Sequence, residues 1–341
     1  MSGVQALDRA SDVLLAVEDL TVEFHSDGRW VRVVEGVNVD VRRGEVLGLV
    51  GESGSGKTVT SLAVMGLIPK PFGRVSSGRV LFDDMDLIRA APRQLDSVRG
   101  RRISMIFQEP ARALNPAFTV GEQIAAVVRR HTGANRRQAW HRAVEVLDSV
   151  HIPSAGLRAK DYPYMFSGGM CQRVMIAMAL ACQPDLVIAD EPTTALDVTV
   201  QDQILRLLDE VRRSTGVAIL LITHDLAVIA AMCSRVGVMY AGQIVEEGPV
   251  DELFERPRHP YTAGLLDSLP RLDAPGGQFG AIPGRVPPPG QWPAGCHFHP
   301  RCGYVDPDRC TSGSIALARE SGSSCRCVRA DELVLERRTH G

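Results

Sequence analysis

Aromatic residues make up only 5% of this 341-residue chain, too few for the repeated stacking surfaces that hold single-stranded nucleic acids. An excess of charge of one sign is also missing. Lys and Arg number 38 against 40 Asp and Glu, a formal net charge of −2, so the basic footprint of a nucleic-acid binder is absent. Long apolar runs are lacking too: stretches such as VMIAMALAC at 174–182 fall well short of the roughly 20 residues that span a bilayer. The opening MSGVQALDRASDVLLAVEDL carries neither the basic start nor the apolar run of a signal peptide. The chain is therefore expected to be cytosolic and to reach any membrane through a partner. No internal repeat, heptad run or second Walker-type loop is visible.

What is present is ordinary globular composition, 45% hydrophobic and 23% charged, long enough for two or three domains. Residues 13–47 read as short alternating strands around a Gly-containing turn. GEVLGLVG is a buried strand leading into a Gly-rich loop, and KTVTSLAVMGLI is the helix after it. RRISMIFQ is a further strand. Residues 119–150 are helical, with Trp140, Val144, Leu147 and Val150 predicted to share a core face. Helix 168–182, strand DLVIAD, helix 199–215, strand VAILLIT, helix 225–233 and the segment RVGVMYAGQIVEEG then follow, the alternation of a parallel α/β sheet. Composition changes at PRLDAPGGQFGAIPGRVPPPGQWPAG, 270–295, a Pro/Gly-rich linker expected to be extended and irregular.

The chemistry concentrates at strand ends. GESGSGKT, residues 51–58, matches the phosphate loop G-x-x-x-x-G-K-[ST] in the strand–loop–helix context it requires. Gly51, Gly54 and Gly56, with Glu52, Ser53 and Ser55 between them, let backbone amides converge on phosphate at a helix N-terminus. Lys57 is the expected counter-charge to the β and γ phosphates, and the Thr58 hydroxyl a Mg²⁺ ligand. LVIADEP ends a strand with Asp190, placed to hold Mg²⁺ through water, and Glu191, assigned as the base that orients or deprotonates the attacking water. Gln108, at the end of its strand, suits the metal and the water. His224, beyond AILLIT, suits the γ-phosphate. FSGGMCQR, residues 166–173, is a second anion-binding turn with no nucleotide site of its own around it.

In this order and spacing, GESGSGKT, Gln108, FSGGMCQR, VIADEPTTALD and His224 resemble the ATPase subunit of an ATP-binding cassette transporter across roughly residues 13–265. The resemblance implies a P-loop NTPase cassette, with a RecA-like parallel sheet core, an antiparallel β subdomain and a helical insert. It also accounts for the second turn: Ser167, Gly168 and Gly169 close over the γ-phosphate held by a partner ATPase domain, and Asp197 lies along the dimer seam. Met170–Cys171 departs from the Met-Arg pair common in peptide importers and lacks its positive charge. Phe24 is the first candidate to stack on adenine, Trp30 the second.

EPTTALDVTVQDQIL, SGGMCQRVMIAMAL and PRHPYTAGLLDSLPRL (257–272) resemble the dipeptide and oligopeptide importers and their nickel and glutathione relatives. In that branch a similar set of four cysteines can hold a [4Fe–4S] cluster. Here Cys296, Cys302 and Cys310, spaced C-x₅-C-x₇-C, are followed by Cys325 and Cys327, and four thiolates on Pro-flanked loops suit either iron–sulfur or Zn²⁺. The expected ligands are Cys296, Cys302, Cys310 and Cys327, with Cys325 as a substitute for the last. The interleaved His297 and His299 keep a mixed Zn²⁺ site open. The segment CHFHPRCGYVDPDRCTSGS is too polar and Pro-broken to build its own core, so a metal is expected to replace one, in a structural or docking role with no part in hydrolysis.

The expected organisation is an ATPase domain over 10–265 with a helical insert at about 110–168, a linker over 266–295 and a Cys-rich extension over 296–341. Expected partners are two permease subunits gripped near Gln108 and EPARALNPAFTVGEQI, a second ATPase subunit head to tail, and an extracytoplasmic solute-binding protein, at the cytoplasmic face of the membrane. Peptide is the expected solute and nickel or glutathione the rival. A translation ATPase would be expected to carry two cassettes, and a DNA-repair ATPase a coiled coil or zinc insertion.

Overall fold

A computed structural model describes residues 12–194, 196–269, 281–320 and 322–335. They fall into two compact units, neither contiguous in sequence: residues 12–15, 40–46 and 81–222 in the first, and 16–39, 47–80 and 223–335 in the second.

In the first unit, strands Ile103–Ile106, Leu186–Asp190 and Ala218–Thr223 run parallel, with Ile103 opposite Leu186 and Leu186 opposite Ala218. Every residue of the three is buried. Burial on both faces explains why they read as unbroken apolar runs. Helices Gly168–Leu180 and Val198–Thr215 accompany them. The region 119–150 is two helices, Val120–Thr132 and Arg136–Ser149, each opened by a capping box, Thr119 with Glu122 and Asn135 with Gln138. Gly133, left-handed at φ 72°, separates them. The core face of the second helix is Ala139, Ala143, Val146 and Leu147. Trp140 and Val144 are only half-buried at its margin, so the face is rotated from the expected one. The buried alanines are a weaker sequence signal than Trp.

In the second unit, Val46–Val50 pairs parallel with Arg235–Tyr240, which pairs antiparallel with Gln243–Pro249. The strands expected to be short are two 14-residue strands, Val13–Ser26 and Arg29–Arg42. Asp27 and Gly28, at φ 51° and 76°, join them, as a two-residue hairpin turn requires.

The C-terminal segment also differs from expectation. Ser323–Cys325 pairs antiparallel with Gln243–Pro249, Glu246 opposite Cys325, and Ala318–Glu320 pairs with Ser323–Cys325. Phe298, 3% exposed, packs among Tyr240, Tyr261 and His259 at ring separations of 5.2, 5.3 and 5.9 Å. The segment does not need a core of its own, because one aromatic side chain enters an existing one. Linker residues 270–280 lie outside the described residues. Those from 281 to 295 are irregular, as expected, but not free: Ile282 and Trp292 pack so closely on Gly264 and Gly242 that a Cβ at either glycine would sit 2.9 or 2.2 Å from them.

Candidate active site

The phosphate loop lies in the second unit, between strand Val46–Val50 and helix Lys57–Val64. Its glycines have distinct reasons. A Cβ on Gly51 would lie 2.1 Å from the Met239 carbonyl oxygen, a backbone contact that cannot give way, and Gly56, at φ 105°, leaves 3.1 Å to the Val33 carbonyl. The loop is thus seated on backbone, and the Gly242 N–H donates to the Ser55 carbonyl at 2.9 Å to hold it there. Lys57 is 6% exposed. Its ammonium donates to the Gly51 carbonyl at 2.7 Å and the Glu52 carbonyl at 3.1 Å, which pins the positive charge inside the loop. Ser55 is buried, while Ser53, Gly54 and Thr58 are exposed. No acidic residue occupies the first turn of the helix, so nothing there opposes an anion at its positive end. This cradle fits a polyphosphate. Phe24 is half-buried, its ring against Gly73. Trp30 is 38% exposed with the Arg74 guanidinium 4.0 Å over its ring. His224, also in the second unit, is exposed.

The first unit carries the acids. Asp190 is 3% exposed at the end of its strand. Glu191 follows with φ 47°, a left-handed backbone that costs a non-glycine residue about 1–3 kcal/mol and recurs where geometry serves function. Its N–H is tied to the Ile222 carbonyl at 2.8 Å. Its carboxylate accepts from the Gln108 amide at 2.9 Å and the Thr194 hydroxyl at 2.8 Å. The structure therefore brings Gln108 and Glu191 together and adds Thr194. Thr194 was missed in the sequence, although it lies in the quoted EPTTALD, three residues after Glu191.

Ser167 is the N-cap of helix Gly168–Leu180, its hydroxyl accepting from the Met170 N–H at 3.4 Å. Ser167 and Gly168 are exposed. Gly169 admits the neighbouring helix, since its Cβ would meet Val200 at 2.7 Å. Asp197 caps that helix, accepting from the Val200 N–H at 2.9 Å. Cys171 is buried, with burial pushing its thiol pKa up. Position 171 thus faces the interior.

Cys296, Cys302, Cys310 and Cys327 line one cavity of about 20 Å³, together with His259 and His299. Cys325 is buried opposite Glu246. His297 is committed elsewhere, its Nδ1 2.8 Å from the Ala241 carbonyl and its Nε2 3.5 Å from Glu35, which corrects the expectation that it joins a mixed site. All eight cysteines are free thiols. Burial, reinforced by the neighbouring thiols, pushes Cys296 up to about 12. The four share a cavity without converging: among the described residues no three His, Cys, Asp or Glu are arranged to hold a metal ion.

Comparisons with known proteins decide the family. Residues 34–194 match the ABC transporter family, and residues 245–310 match the oligopeptide/dipeptide transporter C-terminal region. The dipeptide transport ATP-binding protein DppD of Bacillus subtilis is 49% identical over 85% of this chain and 86% of its own. The chain belongs to the ATP-binding proteins of ABC peptide transporters. The oligopeptide transport ATP-binding proteins OppD of Salmonella typhimurium (49% identical, 86% of this chain and 88% of its own) and AppD of Bacillus subtilis (46%, 94% and 97%) are similar relatives. The dimeric ATP-binding cassette MJ0796 bound to ADP and Pi superimposes with a TM-score of 0.62 at 26% identity, over 69% of this chain and 98% of that one. The cassette cbiO1 of Clostridium perfringens gives 0.61 at 26% identity, over 72% and 91%. The fold is the P-loop NTPase cassette of this family. Among the described residues no helix is long and apolar enough to cross a membrane.

Proposed function

We propose that this chain is an ATP-hydrolysing subunit that powers import of di- and oligopeptides through a multisubunit transporter. The observation that carries the reading is a strained Glu191 held by Gln108 and Thr194 at a strand end, in a chain that also carries a backbone-seated phosphate loop around Lys57 and is about half identical to peptide-transport ATP-binding proteins. Bound MgATP supplies the phosphoryl group. Lys57 and the amides of Gly51 to Thr58 bind its phosphates, Thr58, Gln108 and Asp190 hold Mg²⁺ directly or through water, and Glu191 takes the proton of the attacking water, oriented by Gln108. His224 contacts the γ-phosphate and Phe24 the adenine.

Ser167, Gly168, Gly169 and Asp197 act across a head-to-tail ATPase dimer. ATP favours the closed pair and hydrolysis reopens it, a population shift passed to two permease subunits. Exposed Phe107 and Phe118 suit the permease contact, at the cytoplasmic face of the membrane, and an extracytoplasmic binding protein delivers the peptide. The ATPase domain spans 10–265, with its insert at 110–168. The extension 296–341 is a metal module in which Cys296, Cys302, Cys310 and Cys327 hold a [4Fe–4S] cluster, with Zn²⁺ as the alternative. Four thiols lining one cavity are the donor chemistry either group takes, and holding it would require them to converge from the positions they have here.

The test is ATP-dependent uptake of labelled peptide by proteoliposomes of the assembled transporter. Uptake that stops with Lys57→Ala supports the reading. Uptake of nickel or glutathione but not peptide overturns the solute assignment.

A further inference from the structure

The C-terminal segment was expected to take no part in hydrolysis, yet it reaches the phosphate loop. Arg301, 9% exposed, spends its whole guanidinium on a few acceptors. Nη1 and Nη2 donate to the two carboxylate oxygens of Glu52, the second residue of the loop, at 2.9 and 3.2 Å. Nε donates to the Pro283 carbonyl at 2.7 Å, and longer contacts at 3.4 Å reach the Tyr240 hydroxyl and the Ile282 carbonyl. The Glu52 N–H is held in turn by the Tyr261 hydroxyl at 2.9 Å. Two nearby residues act on the turn under the loop: His297 of the segment bonds the Ala241 carbonyl, and Trp292 of the preceding linker packs on Gly242, whose N–H holds the Ser55 carbonyl.

We propose that Arg301 is a positioning residue of the nucleotide site, bracing the phosphate loop through Glu52 so that the cysteine-bearing segment sets ATP affinity. The inference rests on the reading of residues 51–58 as the ATP loop. Its physical basis is charge and geometry together. A fork-to-carboxylate pair fixes orientation as well as distance. It also neutralises an acid one residue from the loop's first glycine, where four phosphate charges are to bind. Without Arg301, Glu52 is an uncompensated anion in an anion site and its side chain loses the fork that fixes it. Because Glu52 keeps part of its solvent contact, the effect is moderate, about tenfold in ATP affinity. Arg301→Lys keeps the charge but not the fork and falls between.

The experiment is calorimetric titration of the full-length chain with MgATP, using Arg301→Ala, Arg301→Lys, Glu52→Gln and the double variant Arg301→Ala/Glu52→Gln. Arg301→Ala is expected to raise the Kd for ATP about tenfold, and adding Glu52→Gln to restore most of it by removing the stranded carboxylate. A variant that merely unfolds cannot be restored this way. Equal affinity in wild type and Arg301→Ala, or independent, additive losses from the two changes, would overturn the inference while leaving the ATPase reading intact. A wild-type chain that binds no ATP overturns both.

Discussion

Replacing Phe298 with alanine removes the one large apolar side chain that the C-terminal segment buries among Tyr240, Tyr261 and His259. A buried Phe→Ala change costs about 3–5 kcal/mol, and the aromatic contacts place this site within that range. The loss falls on the docking of residues 296–302, not on the first unit, which contains none of these side chains. At about 1.4 kcal/mol per tenfold, the segment opens between roughly a hundredfold and a few thousandfold more often. The assay is maleimide labelling of the native full-length chain, with rates at each cysteine read by peptide mass spectrometry. Cys296 and Cys302 are expected to label faster in Phe298→Ala by that range. Cys171, buried in the first unit, serves as the internal reference and keeps its rate. Unchanged rates at Cys296 and Cys302 would refute the docking argument. So would a parallel rise at Cys171, which reports unfolding of the whole chain.

Two further predictions address the proposed roles of the second turn and the thiols. Ser167→Arg places a bulky cation at an exposed helix cap; ATP binding to this chain stays intact while hydrolysis at the partner's phosphate loop is blocked, as equilibrium binding and ATPase assays on the assembled pair will show. Chain purified without oxygen is expected to be brown with about four irons. Cys302→Ser abolishes the colour and loosens the segment to protease but leaves ATP binding measurable, whereas stoichiometric zinc without iron would replace the cluster assignment.

The parallel strands and the helices of the first unit were legible because burial on both faces writes unbroken apolar runs and because the helices follow those strands in the alternation of a parallel α/β sheet. The phosphate loop was legible because its glycines answer to local backbone demands, a close carbonyl at Gly51 and left-handed φ values at Gly54 and Gly56. What the sequence hid was long-range and side-chain-specific. Arg301 and Glu52 are 249 positions apart, and no local pattern marks either as the other's partner. The C-terminal segment looked coreless because a lone Phe298 carries no periodicity, and its core is made by Tyr240 and Tyr261 from elsewhere in the chain. Ala139 and Ala143 define a helix face that the larger Trp140 masked. Thr194 was in view but carried no distinguishing signal beside a second threonine.

The direct test of the hydrolytic role is ATP turnover by the assembled transporter with Glu191→Gln. The substitution keeps the side chain's size and an acceptor for Gln108 and Thr194 but removes the base. ATP binding should persist, the ATPase pair should be trapped closed, and turnover should fall by roughly 10²–10⁴. Turnover near the wild-type rate would contradict the assignment of Glu191 as the residue that activates water.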